Sequence, residues 1–171
     1  MLTDLAGVLE GIAANIDINA SLLGEVKANA RCGELDWRQP ENIMLCSASA
    51  TNTEQTIACE EANKPGVILA ADTLYSEEQP MILVNTIVAW LRRNSTARAI
   101  ISYPMRVAYI ECLQEFWQRM ETAGLVVVDE GREELDEEAG FDDERLCEWC
   151  VWRWSEDALQ RGSASAETRS N

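Results

Sequence analysis

The segment Val67 to Tyr75 reads VILAADTLY, an apolar run ending on a carboxylate, Asp72, with a tyrosine three residues later. Apolar Val67, Ile68 and Leu69 followed by small Ala70 and Ala71 predict a buried parallel strand, and open α/β sheets bind ligands at the C-terminal ends of such strands. Asp72 and Tyr75 then stand at the mouth of a site. The carboxylate can accept a hydrogen bond from an incoming amine, and the phenol ring can wall a channel for an alkylammonium group. Each residue also has a structural reading, Asp72 as a cap of the next helix and Tyr75 as a packed ring.

The chain contains no histidine. Ser-His-Asp and Cys-His nucleophiles, imidazole bases and histidine-ligated zinc are therefore excluded, which leaves carboxylate, tyrosine, cysteine, lysine or a cofactor to do chemistry. Cys147 and Cys150 form a CxxC within LCEWCVWRW, but that segment reads as a strand, where positions three apart face opposite sides. No metal site is expected there. The six cysteines are scattered along a chain long enough to bury a core, so reduced thiols are expected rather than a disulfide framework.

Thirty acidic and fourteen basic side chains give a formal net charge of -16, which repels phosphate backbones and anionic membranes. Nucleic acid and membrane are set aside as partners. Carboxylates dominate Asp129 to Glu144, which reads either as a solvated loop or as a docking surface for a basic protein. No apolar run approaches the roughly 20 residues of a membrane span, and Asp4 and Glu10 stand where a signal peptide carries basic residues, so a cytoplasmic location is expected, with the nucleus as the alternative.

At 171 residues the length suits one domain, placed at 1–155, with a polar tail over 156–171 that lacks an apolar face and is expected to be disordered. Spacing predicts a helix over Ala6 to Asn19 with Asp4 at its cap, a strand around Glu25 to Cys32, and a helix from Thr53 to Asn63. A helix opened by Pro80 runs to Arg92 and Arg93, Ala97 to Tyr103 is a strand, and Val107 to Thr122 is a helix stopped by Gly124. Leu125 to Asp129 and Leu146 to Trp154 then form strands joined without a helix. The fold class is α/β, with a mostly parallel sheet ending in an antiparallel hairpin and with Val67 to Ala71 buried by helices on both faces. Trp149, Trp152 and Trp154 belong to the core and sheet faces.

Taken together, TDLAGVLEGIAANIDIN, ELDW, ILAADTLY and the closing strand, helix and hairpin resemble the class I, seven-strand, Rossmann-like protein-lysine methyltransferases that bear a DxxY motif. The resemblance spans nearly all of Leu2 to Trp154. It implies that Asp4, at the end of the family's second strand, accepts hydrogen bonds from the ribose of S-adenosyl-L-methionine. Asp36 and Trp37 would lie against adenine, Ala71 would contact the cofactor, and Asp72 and Tyr75 would flank the target lysine of a basic-surfaced protein such as a translation factor. Methyl transfer is an in-line displacement in which alignment and exclusion of water do most of the work, and it requires neither metal nor histidine.

The family's glycine-rich loop, of the form ELGxGxG, has no match here. The resemblance begins at the end of the family's second strand, so an N-terminally incomplete sheet is expected, lacking the central first strand and leaving strand edges near Asp4 and Asp72. Two readings follow: a lysine methyltransferase, or a catalytically inactive remnant serving as an acidic protein-binding module. For Asp4 the cap reading, and for Trp37 that of a core-covering loop residue, stay open.

Overall fold

In a computed structural model, residues 1–46, 55–134 and 146–167 are described, and they form an α/β protein of two compact units, Met1–Asn63 and Lys64–Asn171. Each unit has its own four-stranded mixed sheet, where the sequence predicts one domain with a mostly parallel sheet. Two strand pairs are parallel and four antiparallel.

The first unit opens with β1 (Leu2–Asp4), followed through a short 3-10 turn by α1 (Leu9–Ile18) and α2 (Ala20–Glu25). Over the expected helix Ala6 to Asn19 the chain forms this 3-10 turn and α1, with α2 continuing beyond it, and none of their N-caps uses a side chain. Asp4 is not a helix cap: its Oδ1 accepts the N–H of Leu5 at 2.7 Å. The next strand, β2, is Cys32–Glu34, later than expected, because Gly24, Glu25 and Val26 still belong to the helical turn, with Lys27 at φ 53° after it. It is followed by β3 (Asn42–Leu45) and β4 (Gln55–Ala58) in the order β1-β2-β3-β4. Where a helix is predicted over Thr53 to Asn63, the described part is β4 and a short 3-10 turn. Pairing of β4 with β3 over Asn42↔Ala58 to Leu45↔Gln55 overrides the weak helical pattern of this polar segment.

The second unit contains β5 (Val67–Ala71), α3 (Gln79–Trp90), β6 (Arg98–Pro104), α4 (Ile110–Thr122), β7 (Leu125–Glu134), β8 (Leu146–Trp154) and α5 (Glu156–Glu167). Parallel β5 and β6 are joined across α3, as parallel neighbours require a crossover, while β8 runs antiparallel to both β6 and β7. The order is β5-β6-β8-β7, and the predicted C-terminal hairpin is present. Of the acidic segment read as a loop from Asp129 to Glu144, residues up to Glu134 belong to β7, and the rest lies outside the described residues.

Registered partners share a sheet face, which defines the core. Ala99 faces Trp152 and Ile101 faces Cys150, and all four are fully buried. On this face α4 sets Phe116 edge-on to Trp152 at 6.1 Å and Trp117 at 4.9 Å between centroids. The opposite face is open at β5, where Leu69 is 73% exposed and Val67 is exposed with it. Burial of this strand by helices on both faces is therefore incorrect. In the described structure the alternation is exposed, half-buried, exposed, half-buried, exposed, the pattern of a sheet covered on one side.

The expectation of a disordered tail is corrected over 156–167, where α5 forms and buries Ala158, and residues 168–171 lie outside the described residues. Ser155 Oγ accepts the Ala158 N–H at 3.2 Å, and Glu156 and Asp157 occupy the first turn, a cap with acids at the positive end of the helix. The signal Ser-Glu-Asp is visible in the sequence. No helix among the described residues is long and apolar enough to cross a membrane.

Gly124 ends α4 at φ +91°, and a Cβ there would lie 2.8 Å from Ala158 Cβ. Left-handed strain and this contact together set the expectation that Gly124→Ala destabilises the protein by about 2 kcal/mol or more, measured by urea unfolding. Buried acids give a second expectation. Burial pushes the Cys150 thiol from 9.0 up to about 11, with the Trp152 N–H offsetting part of the shift. Burial likewise raises the Tyr103 phenol, partly offset by its bond from Trp117. Because the folded state holds these protons more tightly than the unfolded state, their stabilisation is complete below pH 9 and declines as pH rises towards 11. Thermal unfolding midpoints should fall over that window, and Cys150→Ala should lower the midpoint at neutral pH while making the alkaline decline shallower.

Candidate functional site

Parallel pairing brings the C-terminal ends of adjacent strands together, and in each unit one such pair carries the candidate residues. In the first unit Asp4 is registered with Glu34, and the N–H of Leu35 donates to the Asp4 carbonyl at 3.1 Å. The chain leaving β2 then turns through Asp36, whose Oδ1 accepts the Arg38 N–H at 2.9 Å, and presents a half-buried Trp37. Asp4, Asp36 and Trp37 therefore sit at one end of one strand pair. The bond from Leu5 occupies Oδ1 of Asp4, and no hydrogen bond among the described residues is made to its Oδ2.

In the second unit Ala71 closes β5 opposite Ser102 of β6, and the N–H of Asp72 donates to the Ser102 carbonyl at 2.9 Å. Asp72 then takes a φ of 50°, left-handed for a residue with a side chain. Such strain is held by its surroundings and concentrates at functional turns. Here the restraint is Arg106, which follows β6 at the same sheet end and grips both carboxylate oxygens, Nη1 to Oδ1 at 2.9 Å and Nη2 to Oδ2 at 3.3 Å. The Asp72 side chain is 54% exposed, against 18% for Arg106, so one edge of the carboxylate faces outward while a half-buried guanidinium fixes the other.

Tyr75 is exposed, and its backbone N–H donates to Gln79 Oε1 at 2.6 Å, together with the Ser76 N–H at 2.9 Å. The start of α3 therefore fixes the turn holding Tyr75 but leaves its ring open to solvent. Asp72 is not the cap of that helix, since Glu78 occupies the cap position without a side-chain bond. Between the two candidates, Thr73 Oγ1 is buried with no hydrogen-bond partner among the described residues. An orphaned hydroxyl beside a strained carboxylate is a polar group that an incoming donor or acceptor would satisfy.

Arg106, Thr73 and Gln79 belong to this site, and nothing local in the sequence marks them. Arg106 is distant from Asp72 in sequence, but both leave the C-terminal ends of adjacent parallel strands, and that placement is the signal that finds it. Of the predicted residues, Ala71, Asp72 and Tyr75 stand together on one sheet, while Asp4, Asp36 and Trp37 stand together on the other. A groove of about 450 Å³ elsewhere on the second unit, between Met105, Leu113, Trp117, Arg132 and Glu148, contains none of the six. Among the described residues no three or more potential ligands cluster to hold a metal.

No known family model matches the chain, and no curated protein sequence matches it.

Asparagine tolerates the left-handed region and an exposed ion pair contributes about 0–1 kcal/mol, so Asp72→Asn should change stability by less than about 1 kcal/mol. A β-branched residue does not tolerate it, so Asp72→Val should cost about 1–3 kcal/mol more by the same urea measurement.

Proposed function

We propose that this chain is built for S-adenosyl-L-methionine-dependent transfer of a methyl group to a protein lysine. The observation that carries the reading is the half-sheet β5-β6-β8-β7, in which a reversed last strand is inserted between β6 and β7 and Asp72 leaves the end of β5 in a left-handed turn. The class I methyltransferases that the sequence resembles insert their reversed seventh strand between the fifth and sixth in the same way, with the DxxY carboxylate after the fourth.

The cofactor residues suit an adenosine moiety. Oδ2 of Asp4 is available to a ribose hydroxyl, and Trp37 on the neighbouring strand end offers a flat apolar surface for a purine. When bound, S-adenosyl-L-methionine supplies the electrophilic methyl group. Asp72 accepts a hydrogen bond from the neutral lysine amine on its outward edge and aligns the nitrogen lone pair, while Arg106 holds the carboxylate still. Tyr75 provides an aromatic wall for the lysine stem. The net charge of -16 favours a basic protein as acceptor.

A specific observation favours a second reading, a catalytically inactive acidic protein-binding module. The six candidate residues divide between two sheets that no strand pairing joins among the described residues. Calorimetric titration of the chain with S-adenosylhomocysteine separates the two. The methyltransferase reading expects saturable binding weakened about tenfold or more by Trp37→Ala, since each tenfold corresponds to about 1.4 kcal/mol of lost contact. In methyl transfer to a lysine-containing basic protein, Asp72→Ala should lower kcat by about 100-fold with cofactor affinity unchanged. Absence of binding together with retained affinity for basic proteins would support the module, and full activity of Asp72→Ala would remove the carboxylate from the mechanism.

A further inference from the structure

Cys32 and Cys46 stand opposite one another where β2 and β3 meet. Their neighbours Gly33 and Leu45 are registered partners, and the N–H of Cys46 donates to the carbonyl of Cys32 at 2.9 Å. Facing residues in a hydrogen-bonded antiparallel pair have Cα atoms about 5.5 Å apart with side chains on the same face, inside the roughly 4.4–6.8 Å that a disulfide spans. Gly33 makes the approach close. A Cβ on it would lie 2.7 Å from Ile43 Cγ2 and 2.9 Å from the Met44 carbonyl oxygen, so only glycine lets the strands pair this tightly beside the cysteines.

Both thiols are free, Cys32 buried and Cys46 half-buried. The neighbouring Cys32 side chain, then burial, push the Cys46 thiol up to about 11. The other free cysteines differ in placement: Cys112 lies on α4, Cys147 and Cys150 lie on β8, and Cys59 is registered beside Glu41 at the far end of β3.

We propose that Cys32 and Cys46 are a redox-responsive dithiol that a hydroperoxide closes to an intramolecular disulfide, stapling β2 to β3. One thiol is first oxidised to a sulfenic acid as the O–O bond of the peroxide breaks, releasing water from hydrogen peroxide or the corresponding alcohol from an organic hydroperoxide. The second sulfur then attacks it, the S–O bond breaks, the S–S bond forms and water leaves. Two thiols give up two protons and two electrons, and one hydroperoxide takes them up. The inference is independent of the methyl-transfer reading.

The test uses the native chain, treated with equimolar hydrogen peroxide, blocked with N-ethylmaleimide and weighed. The expected product has lost two hydrogens and carries label on all but two of its six cysteines, and dithiothreitol restores full labelling. Non-reducing digestion with trypsin and a glutamate-specific protease cuts after Arg31, Glu34, Glu41 and Glu54, which separates Cys32, Cys46 and Cys59. The Cys32–Cys46 peptide should exceed every other linked pair by at least tenfold, on a chain of monomer mass, and the oxidised chain should unfold at a higher temperature. In urea, the same oxidant should lose this preference. Full labelling after peroxide, a link to any other cysteine as the main product, or dimers in place of the internal link would overturn the proposal.

Discussion

Burying the indoles of Trp152 and Trp154 while keeping their N–H groups paired organises the second unit. Each ring removes about 150–250 Å² from water, worth roughly 4–6 kcal/mol, whereas an orphaned N–H would cancel about 1–3 kcal/mol of that. Trp152 Nε1 donates to Cys150 Sγ at 3.0 Å and Trp154 Nε1 to the Arg92 carbonyl at 3.0 Å. The first bond closes within β8, and the second ties the sheet to the turn after α3. Arg93 then stacks 4.6 Å over the Trp154 ring and donates to the Ala158 carbonyl, so the same indole anchors α5. Between β6 and β7, β8 is the strand on which every other element of the unit depends.

That arrangement has a consequence at the candidate site. With β8 fixing β6, and β6 fixing β5 through five registered pairs, the ends of β5 and β6 are held at one level. Asp72 and Arg106 can then meet, and the left-handed turn at Asp72 is sustained by the ion pair on one side and the Ser102 carbonyl on the other. In the first unit the comparable device is smaller. Three registered pairs between β1 and β2 carry Asp4 to the level of the Asp36 turn, and Gly33 sets how closely the next strand approaches.

The sequence by itself determined the elements with strong local signals. Pro80 opening α3, Gly124 ending α4 in the left-handed region, the hairpin of β7 and β8, and Trp152 and Trp154 as core residues follow from backbone chemistry and apolar alternation, which act within a few residues. Asp72 and Tyr75 after an apolar strand were legible for the same reason. Tertiary structure decided the rest. The polar segment Gln55–Ala58 has little pattern of its own and becomes a strand because β3 offers it a partner. Val67 and Leu69 read as a strand covered on both faces, yet coverage depends on where helices pack, and here one face of β5 stays open. The division of the chain into two sheets, the grip of Arg106 on Asp72 and the facing of Cys32 by Cys46 all join residues far apart in sequence. Local propensity carries no information about such pairs, because they exist only once strand register is set.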